Sequence, residues 1–329
     1  VFEAESWERE AFQSLAECHD VRFESRPLDR RLAPEHSGAD VISTFIYSRL
    51  DEDVLQFFDR LVLIATRSTG VDHIDADWCH RHGTAIANVP GYGENTVAEH
   101  VFALLLALSH HIVEAAGRTR RGDFSQTGLQ GFDLLGRTMG VIGTGAIGRH
   151  TIRIAKGFGM DVLAFDIQPD DDLARDLGFR YTQMNELLAA CDVVSLHVPG
   201  GPKTHHLIGG DEFRIIKPGA VIINTSRGSV LDTTALLRAL SDGRVAAAGL
   251  DVIEEEPTVR EEAELIRSIF TRSHELDTLL SDHVLLRMRN VLITPHTAFN
   301  TREAVERILD VTCENIAAYT AGSPQNIIS

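Results

Sequence analysis

The sequence predicts an α/β protein of two domains, each a parallel sheet with helices packed on its faces. Three observations predict it. Short apolar runs alternate with amphipathic ones along most of the chain, the pattern of strands joined by helices. At 329 residues the chain is too long for one ordinary core and suits two. A glycine-rich turn between an apolar run and a helical one lies near the middle of the chain, so one domain is expected to be inserted into the other.

From the N-terminus, the spacing predicts a helix over 5–17 with Ser6 as its cap, then strands over 21–24 and 41–44. A helix over 52–58, a strand over 61–66, a helix over 75–82 and a strand over 84–88 follow. Over 95–119 Val97, Val101, Leu104, Leu105, Leu108 and Ile112 share one helical face. Such a helix fits a crossover, a subunit contact or an ordinary buried helix. Residues 121–131, rich in Gly, Ser and Gln, read as a connecting loop. Stronger strands are expected over 138–142, 161–165, 193–197, 220–224, 246–251 and 291–294. A charged helical insertion spans 261–288, and an amphipathic helix over 302–319 returns the chain to the first domain. The expected domains are 1–94 plus 300–329, discontinuous, and 95–299.

Composition narrows the function classes. A net charge of −17 argues against nucleic acid or an anionic membrane as partner, and requires that any anionic ligand be met by local cations and N–H donors. The longest apolar run, 101–108, is far too short to span a membrane. The opening residues show no charged-then-apolar leader, so secretion is not expected. Cys18, Cys79, Cys191 and Cys313 lie far apart with no CxxC and no metal spacing. They read as thiols in a reducing cytoplasm, and no metal site is expected.

The glycine-rich turn is Val141-Ile142-Gly143-Thr144-Gly145-Ala146-Ile147-Gly148. Gly143 permits a tight turn, Gly145 lets a pyrophosphate approach the backbone, and Gly148 lets helix and strand pack closely. The amides of Ala146 and Ile147 open a helix whose first N–H groups have no intrahelical acceptor, a site for phosphate. The next strand ends at Asp166, placed to accept the adenosine ribose hydroxyls. Ile167, Gln168 and Pro169 follow, with no cation for a 2′-phosphate, so NAD is expected over NADP.

Four blocks then identify a family: Thr69-Gly70-Val71-Asp72-His73-Ile74-Asp75, Gly143 to Gly148, Asn224-Thr225-Ser226-Arg227-Gly228, and Thr294-Pro295-His296-Thr297-Ala298-Phe299. Over essentially its whole length the chain resembles the D-specific 2-hydroxyacid dehydrogenases, and within them most resembles the D-lactate branch. The resemblance implies two flavodoxin-like or Rossmann-like domains with a central cleft, the first binding substrate and the second NAD. It also implies a homodimer formed through the helix near 96–119.

The chemistry agrees with that resemblance. Reduction of a keto acid needs a carboxylate anchor, a proton donor at the carbonyl oxygen and a hydride held near the carbonyl carbon. Arg227 follows a strand end and carries the planar fork suited to a carboxylate. His296 follows the last strand, and imidazole delivers protons near neutral pH. The resemblance makes Glu256 the carboxylate paired with it, a partner that favours the imidazolium; Glu254 and Glu255 are its neighbours in the run. It further places Asp251, Thr225 and Ser226 near the nicotinamide end, and Val198, Pro199 and Thr204 beside adenosine and the phosphates.

The resemblance also implies substrate contacts from the amides of Thr69 and Gly70, a second carboxylate clamp, and from Tyr47, Tyr92 and Phe299, which match aromatic positions that wall the side-chain pocket in the lactate branch. Pyruvate, giving D-lactate, is the substrate these aromatics favour. Two departures bear on that choice: Gly93-Glu94 stands where lactate enzymes commonly have Ser-Pro, and the 261–288 insertion is long. Other readings stay open: a glyoxylate, hydroxypyruvate or aromatic keto-acid dehydrogenase, and an NAD-sensing transcriptional co-repressor on the same fold. A formate-type enzyme would carry Gln where this chain has Glu256.

Overall fold

The structure, a computed structural model, describes residues 1–254 and 284–328. Glu255, Glu256 and most of the expected insertion over 261–288 lie outside the described residues. The chain divides into two units: Val1–Tyr92 with Asn300–Ser329, and Gly93–Phe299.

In the first unit the chain runs α1 (Gln13–Ala16), β1 (Val41–Thr44), α2 (Glu52–Leu55), β2 (Leu63–Thr66), α3 (Ala76–His82) and β3 (Ala85–Ala87). Asp75 caps α3 by accepting from the Trp78 amide, and Gly83, at φ +72°, ends it. The second unit continues with α4 (Glu94–Ser109), α5 (Ile112–Arg120), β4 (Thr138–Ile142), α6 (Ala146–Gly157), β5 (Asp161–Phe165), α7 (Asp171–Leu177) and β6 (Arg180–Tyr181). It goes on through α8 (Met184–Ala190), β7 (Val193–Leu196), α9 (Gly210–Ile215), β8 (Ala220–Asn224), α10 (Thr233–Ser241), β9 (Val245–Leu250) and β10 (Val291–Ile293). The chain then returns to the first unit as α11 (Arg302–Thr320) and β11 (Ile327–Ile328).

The smaller sheet has the order β1-β2-β3-β11, parallel except for β11, which pairs antiparallel with β3. The larger has the order β10-β9-β8-β7-β4-β5-β6 and is parallel throughout. Both bury their two faces, so their strands are near-continuous runs of Val, Ile, Leu and Ala. In β8, Val221 and Ile223 join the core under α4 and α6, while Ile222 faces the opposite core with Leu236 and Leu240 of α10. Alternation of period two thus sorts one strand between two cores.

Four expectations are corrected. The helix over 5–17 is only a 3-10 turn, Glu8–Glu10, and α1, and Ser6 caps neither. Glu8 is turned inward: its carboxylate accepts from the Glu5 amide at 2.8 Å and lies 3.8 Å from the buried Arg67 guanidinium. Residues 21–24 form no sheet strand; Glu24 exchanges backbone hydrogen bonds with Val1 and Ala4. The helix over 95–119 is two helices, α4 and α5, bent by 61° at His111, whose φ is +52°. Gly131 backs onto that break so closely that a Cβ there would meet the Ser109 carbonyl oxygen at 1.9 Å. Finally, the two-residue strands β6 and β11 extend the sheets beyond the strands the sequence pattern predicts. Among the described residues no single helix is long and apolar enough to cross a membrane.

Candidate active site

In the larger sheet every site residue expected in the second unit and described in the structure sits at the carboxyl end of a strand or opens the helix that follows one. Across the sheet the order is His296 after β10, Asp251 after β9, Thr225 to Arg227 after β8, Val198 to Thr204 after β7, Gly143 to Gly148 after β4, and Asp166 after β5. The chain reverses its direction of growth at β4, flanked by β5 and β7. Such switch points are where open parallel sheets bind ligands.

The three glycines of the fingerprint are required for different reasons. Gly143 has φ +94°, and a Cβ there would lie 2.7 Å from the His197 carbonyl oxygen. At Gly148 a Cβ would meet the Gly143 oxygen at 2.1 Å. At Gly145 it would meet nothing within 4 Å, so the fold itself does not demand glycine there. Gly145 and Ala146 are exposed at the head of the twelve-residue α6. This open cradle at a helix N-terminus fits a pyrophosphate.

Asp166 anchors the same turn. One carboxylate oxygen accepts from the Thr144 amide at 2.7 Å and the Thr144 hydroxyl at 2.9 Å, and the other accepts from the Gln168 amide at 2.9 Å. Partial burial pushes this carboxyl up, but the Thr144, Gln168 and Ile167 donors outweigh it and hold the group below the usual carboxylate range. It is therefore anionic at neutral pH and retains lone pairs for ribose hydroxyls. Two neighbours lie beyond the sequence reading. The Tyr181 hydroxyl lies 2.8 Å from Thr144 Oγ1, and Arg149 donates from Nε to the Thr144 carbonyl at 3.1 Å. Arg149 also approaches Asp170 at 3.8 Å. Neither carries a sequence signal that marks it.

After β7, the Thr204 hydroxyl donates to the Pro199 carbonyl at 2.6 Å and closes the loop that begins at Val198. Desolvation pushes the pKa of His197, at the loop's root, down to about 3. After β8, the fully buried Asn224 staples the turn: its Oδ1 accepts from the Ser226 amide and hydroxyl, and its Nδ2 donates to the Arg227 carbonyl. The Arg227 stem lies over Gly200, where a Cβ would meet Arg227 Cγ at 2.9 Å. Gly228 is needed because a Cβ there would stand 2.1 Å from the Ile253 oxygen. Thr225 Oγ1 is buried with no hydrogen-bond partner among the described residues, a polar atom suited to the amide or ribose end of a dinucleotide.

His296 is a non-glycine residue at φ +52°. Its amide donates to the Asp251 carbonyl at 2.9 Å, and the Asp251 carboxylate grips the rest of its turn. Asp251, 1% exposed, accepts from the Thr294 hydroxyl at 2.5 Å and the Thr297 amide at 2.9 Å on one oxygen, and from the Ala298 amide at 2.8 Å on the other. Glu256 lies outside the described residues. Glu254 is described, and its carboxylate lies 2.6 Å from His206 Nε2. With His205 these two residues bring three potential ligand atoms within 4.8 Å of one another.

In the first unit, the Thr69 carbonyl accepts from Asn88 Nδ2 and the Thr69 hydroxyl donates to the Val89 carbonyl, both at 2.8 Å. The amides of Thr69 and Gly70 have no protein acceptor among the described residues, as a carboxylate clamp requires. Tyr47 is 48% exposed and packs edge-on against Phe45. Its amide donates to Glu3, whose carboxyl desolvation pushes up against the Ser48 and Tyr47 donors. The Tyr92 carbonyl accepts from Arg307 Nε at 2.7 Å. Phe299 belongs to the second unit, where its Cβ would lie 3.8 Å from a Cβ at Gly93.

Comparison with known proteins adds to this geometry. Residues 102–298 match the family described as D-isomer specific 2-hydroxyacid dehydrogenase, NAD binding domain. The glyoxylate reductase of Thermococcus litoralis is 35% identical over 298 residues, covering 88% of this chain and 83% of its own. Among solved structures, the D-lactate dehydrogenase of Aquifex aeolicus complexed with NAD and lactic acid aligns with TM-score 0.85 at 36% identity, covering 98% of this chain and 95% of its own. The pyruvate reductase of Chlamydomonas reinhardtii aligns with TM-score 0.87 at 35% identity, covering 98% and 96%.

Proposed function

The chain belongs to the D-isomer specific 2-hydroxyacid dehydrogenases, with NAD as cofactor, and from that premise we propose that it reduces pyruvate to D-lactate. The observation that carries the reading is the row of strand ends: a carboxylate anchor on β8, a histidine held on a strained turn after β10, and a phosphate cradle after β4. When bound, NADH supplies the hydride. Gly145 and the head of α6 hold its pyrophosphate, and Asp166 its ribose. Arg227 anchors the substrate carboxylate through its planar fork, aided by the Thr69 and Gly70 amides. His296 donates a proton to the carbonyl oxygen, and Glu256 favours its charged form. The resemblance assigns Tyr47, Tyr92 and Phe299 to the substrate's side chain, and three aromatic rings there favour a methyl.

The resemblance to solved lactate and pyruvate enzymes supports pyruvate. A glyoxylate-reducing reading is second, favoured by the Thermococcus relative and by Gly93-Glu94 at the pocket rim. NADH oxidation followed across pyruvate, 2-ketobutyrate, glyoxylate, hydroxypyruvate and phenylpyruvate separates them. Pyruvate is expected first and phenylpyruvate last, with a product oxidised by a D-specific lactate enzyme only. A higher kcat/KM with glyoxylate or hydroxypyruvate would replace pyruvate as substrate; tight NADH binding without turnover would favour a cofactor-sensing role. The working form we propose is a cytoplasmic homodimer through residues 96–119, supported by the exposed Ile112 and Val113 and checked by light scattering.

A further inference from the structure

The long helix of the second unit touches the histidine turn through one side chain whose role the chemistry above does not use. Leu104 and Leu108 of α4 pack on β9 at Gly249, where a Cβ would meet their side chains at 3.1 and 3.3 Å. Asp251 follows Gly249 by two residues and so lies on the same face as the strand runs out. His100 precedes Leu104 by four and shares its helical face. Only glycine at 249 lets the helix sit this close, and the close approach brings His100 over Asp251. His100 Nε2 lies 3.0 Å from Thr294 Oγ1 and 3.5 Å from Asp251 Oδ1.

The hydrogen bonds in this group have a fixed direction. A carboxylate accepts, so the Thr294 hydroxyl gives its one proton to Asp251. That hydroxyl can then only accept from His100, which places a proton on Nε2. The sequence is His100 Nε2–H to Thr294 Oγ1–H to Asp251 Oδ1, and Asp251 in turn holds the Thr297 and Ala298 amides on either side of its carboxylate. Those amides, with Thr294, flank His296 in its left-handed conformation, which needs such over-determination to persist.

We propose that His100 is a positioning residue for His296, acting through the Thr294 hydroxyl and the Asp251 carboxylate. The proposal rests on the reading of His296 as the acid–base group. It makes α4, through one turn of helix, part of the frame that aims the imidazole.

The test compares His100→Leu, His100→Gln and His296→Asn in the full chain, reading kcat with pyruvate and the dissociation constant of NADH. His100→Leu should lower kcat about tenfold, the scale of one lost hydrogen bond that orients a reacting group, while NADH binding stays within about twofold. His100→Gln, whose amide N–H reaches a similar point, should restore most of kcat. Thr294→Val should match His100→Leu, Thr294→Ser should restore it, and the His100→Leu/Thr294→Val double variant should be little worse than either alone. The threonine pair carries the same test without altering the helix, should His100→Leu fold poorly. Unchanged kcat in His100→Leu, equal losses in kcat and NADH binding, or additive effects in the double variant would overturn the proposal. Retained activity in His296→Asn would instead overturn the acid–base reading on which it stands.

Discussion

The turn after β4 and the turn after β10 are built on the same plan. In each, an aspartate from the end of the neighbouring strand, β5 or β9, accepts a hydroxyl from the turn together with one backbone amide after β4 and two after β10. In each, the hydroxyl belongs to a threonine that meets a ring from elsewhere in the unit, Tyr181 at 2.8 Å or His100 at 3.0 Å. They differ in exposure. Asp166 is half-buried beside an exposed Gly145 and Ala146, whereas the Asp251 carboxylate is 1% exposed. One carboxylate keeps lone pairs facing outward for a ligand. The other spends its capacity on the chain. The same hydrogen-bonding unit thus serves as a reader in one place and as a frame in another, and solvent access decides which.

The largest effect expected from this difference is on stability. Asp251→Leu removes the buried acceptor of the buried Ala298 amide and of the partly buried Thr297 amide and Thr294 hydroxyl, and should cost about 3–5 kcal/mol, read as the shift in a denaturant midpoint. Asp166→Leu should cost less than about 1.5 kcal/mol, because Asp166 is half-exposed and its Gln168 donor is open, so water can take the place of the lost carboxylate. Equal losses would erase the distinction. Next comes cofactor choice: Asp166→Ser should raise the kcat/KM ratio of NADPH to NADH by about 10–100-fold, on the scale of one charge-assisted hydrogen bond. A wild type that already prefers NADPH would show that Asp166 does not read the ribose.

His197 supplies a smaller, pH-dependent contrast, since its backbone closes over Gly143 at the root of the outward-facing turn. Its pKa falls from the usual 6.5 to about 3 on folding, so the folded protein takes up this proton later than the unfolded chain. Its contribution is therefore complete above pH 6.5 and is lost as pH falls toward 3. Between pH 6.5 and 5 the apo-protein should lose about 1–2 kcal/mol that a His197→Gln variant retains. Parallel stability curves would remove His197 from the account. Smallest is Tyr181→Phe, which takes one ring donor from a threonine at the edge of the outward-facing turn and should change NADH binding by about twofold to threefold. A loss as large as that expected of His100→Leu would mean the two rings are equivalent after all.

Much of this is legible in sequence because its causes are local. Gly143 and Gly148 are forced by clashes within one turn, Asp166 by its place at the end of the next strand, and Arg227 and His296 by short blocks that follow strand ends. The strands of the larger sheet are legible because burial on both faces makes them continuous apolar runs. What stays hidden depends on contacts between distant residues. Thr294 meets His100 across 194 residues and Thr144 meets Tyr181 across 37, and no spacing rule marks either pair. The helix expected over 5–17 does not form because Glu8 turns inward toward Arg67, a buried cation from another strand end. The break at His111 follows from Gly131 pressing on the preceding turn, a packing fact absent from periodicity. The family resemblance sets Asp251 near the nicotinamide end, and it does not reveal that the carboxylate also holds the turn that bears His296.

One pair of variants tests that division of labour most directly: Asp166→Asn and Asp251→Asn, each measured for the NADH dissociation constant and for kcat with saturating pyruvate. Asp166→Asn should weaken NADH binding about tenfold or more and leave kcat within about threefold, as loss of a binding contact does. Asp251→Asn should do the reverse, lowering kcat by about a hundredfold with NADH binding nearly unchanged, as misplacement of a proton donor does. If Asp251→Asn loses NADH binding as severely as Asp166→Asn, then Asp251 contacts the cofactor itself, and the contrast between an outward-facing and an inward-facing carboxylate is wrong.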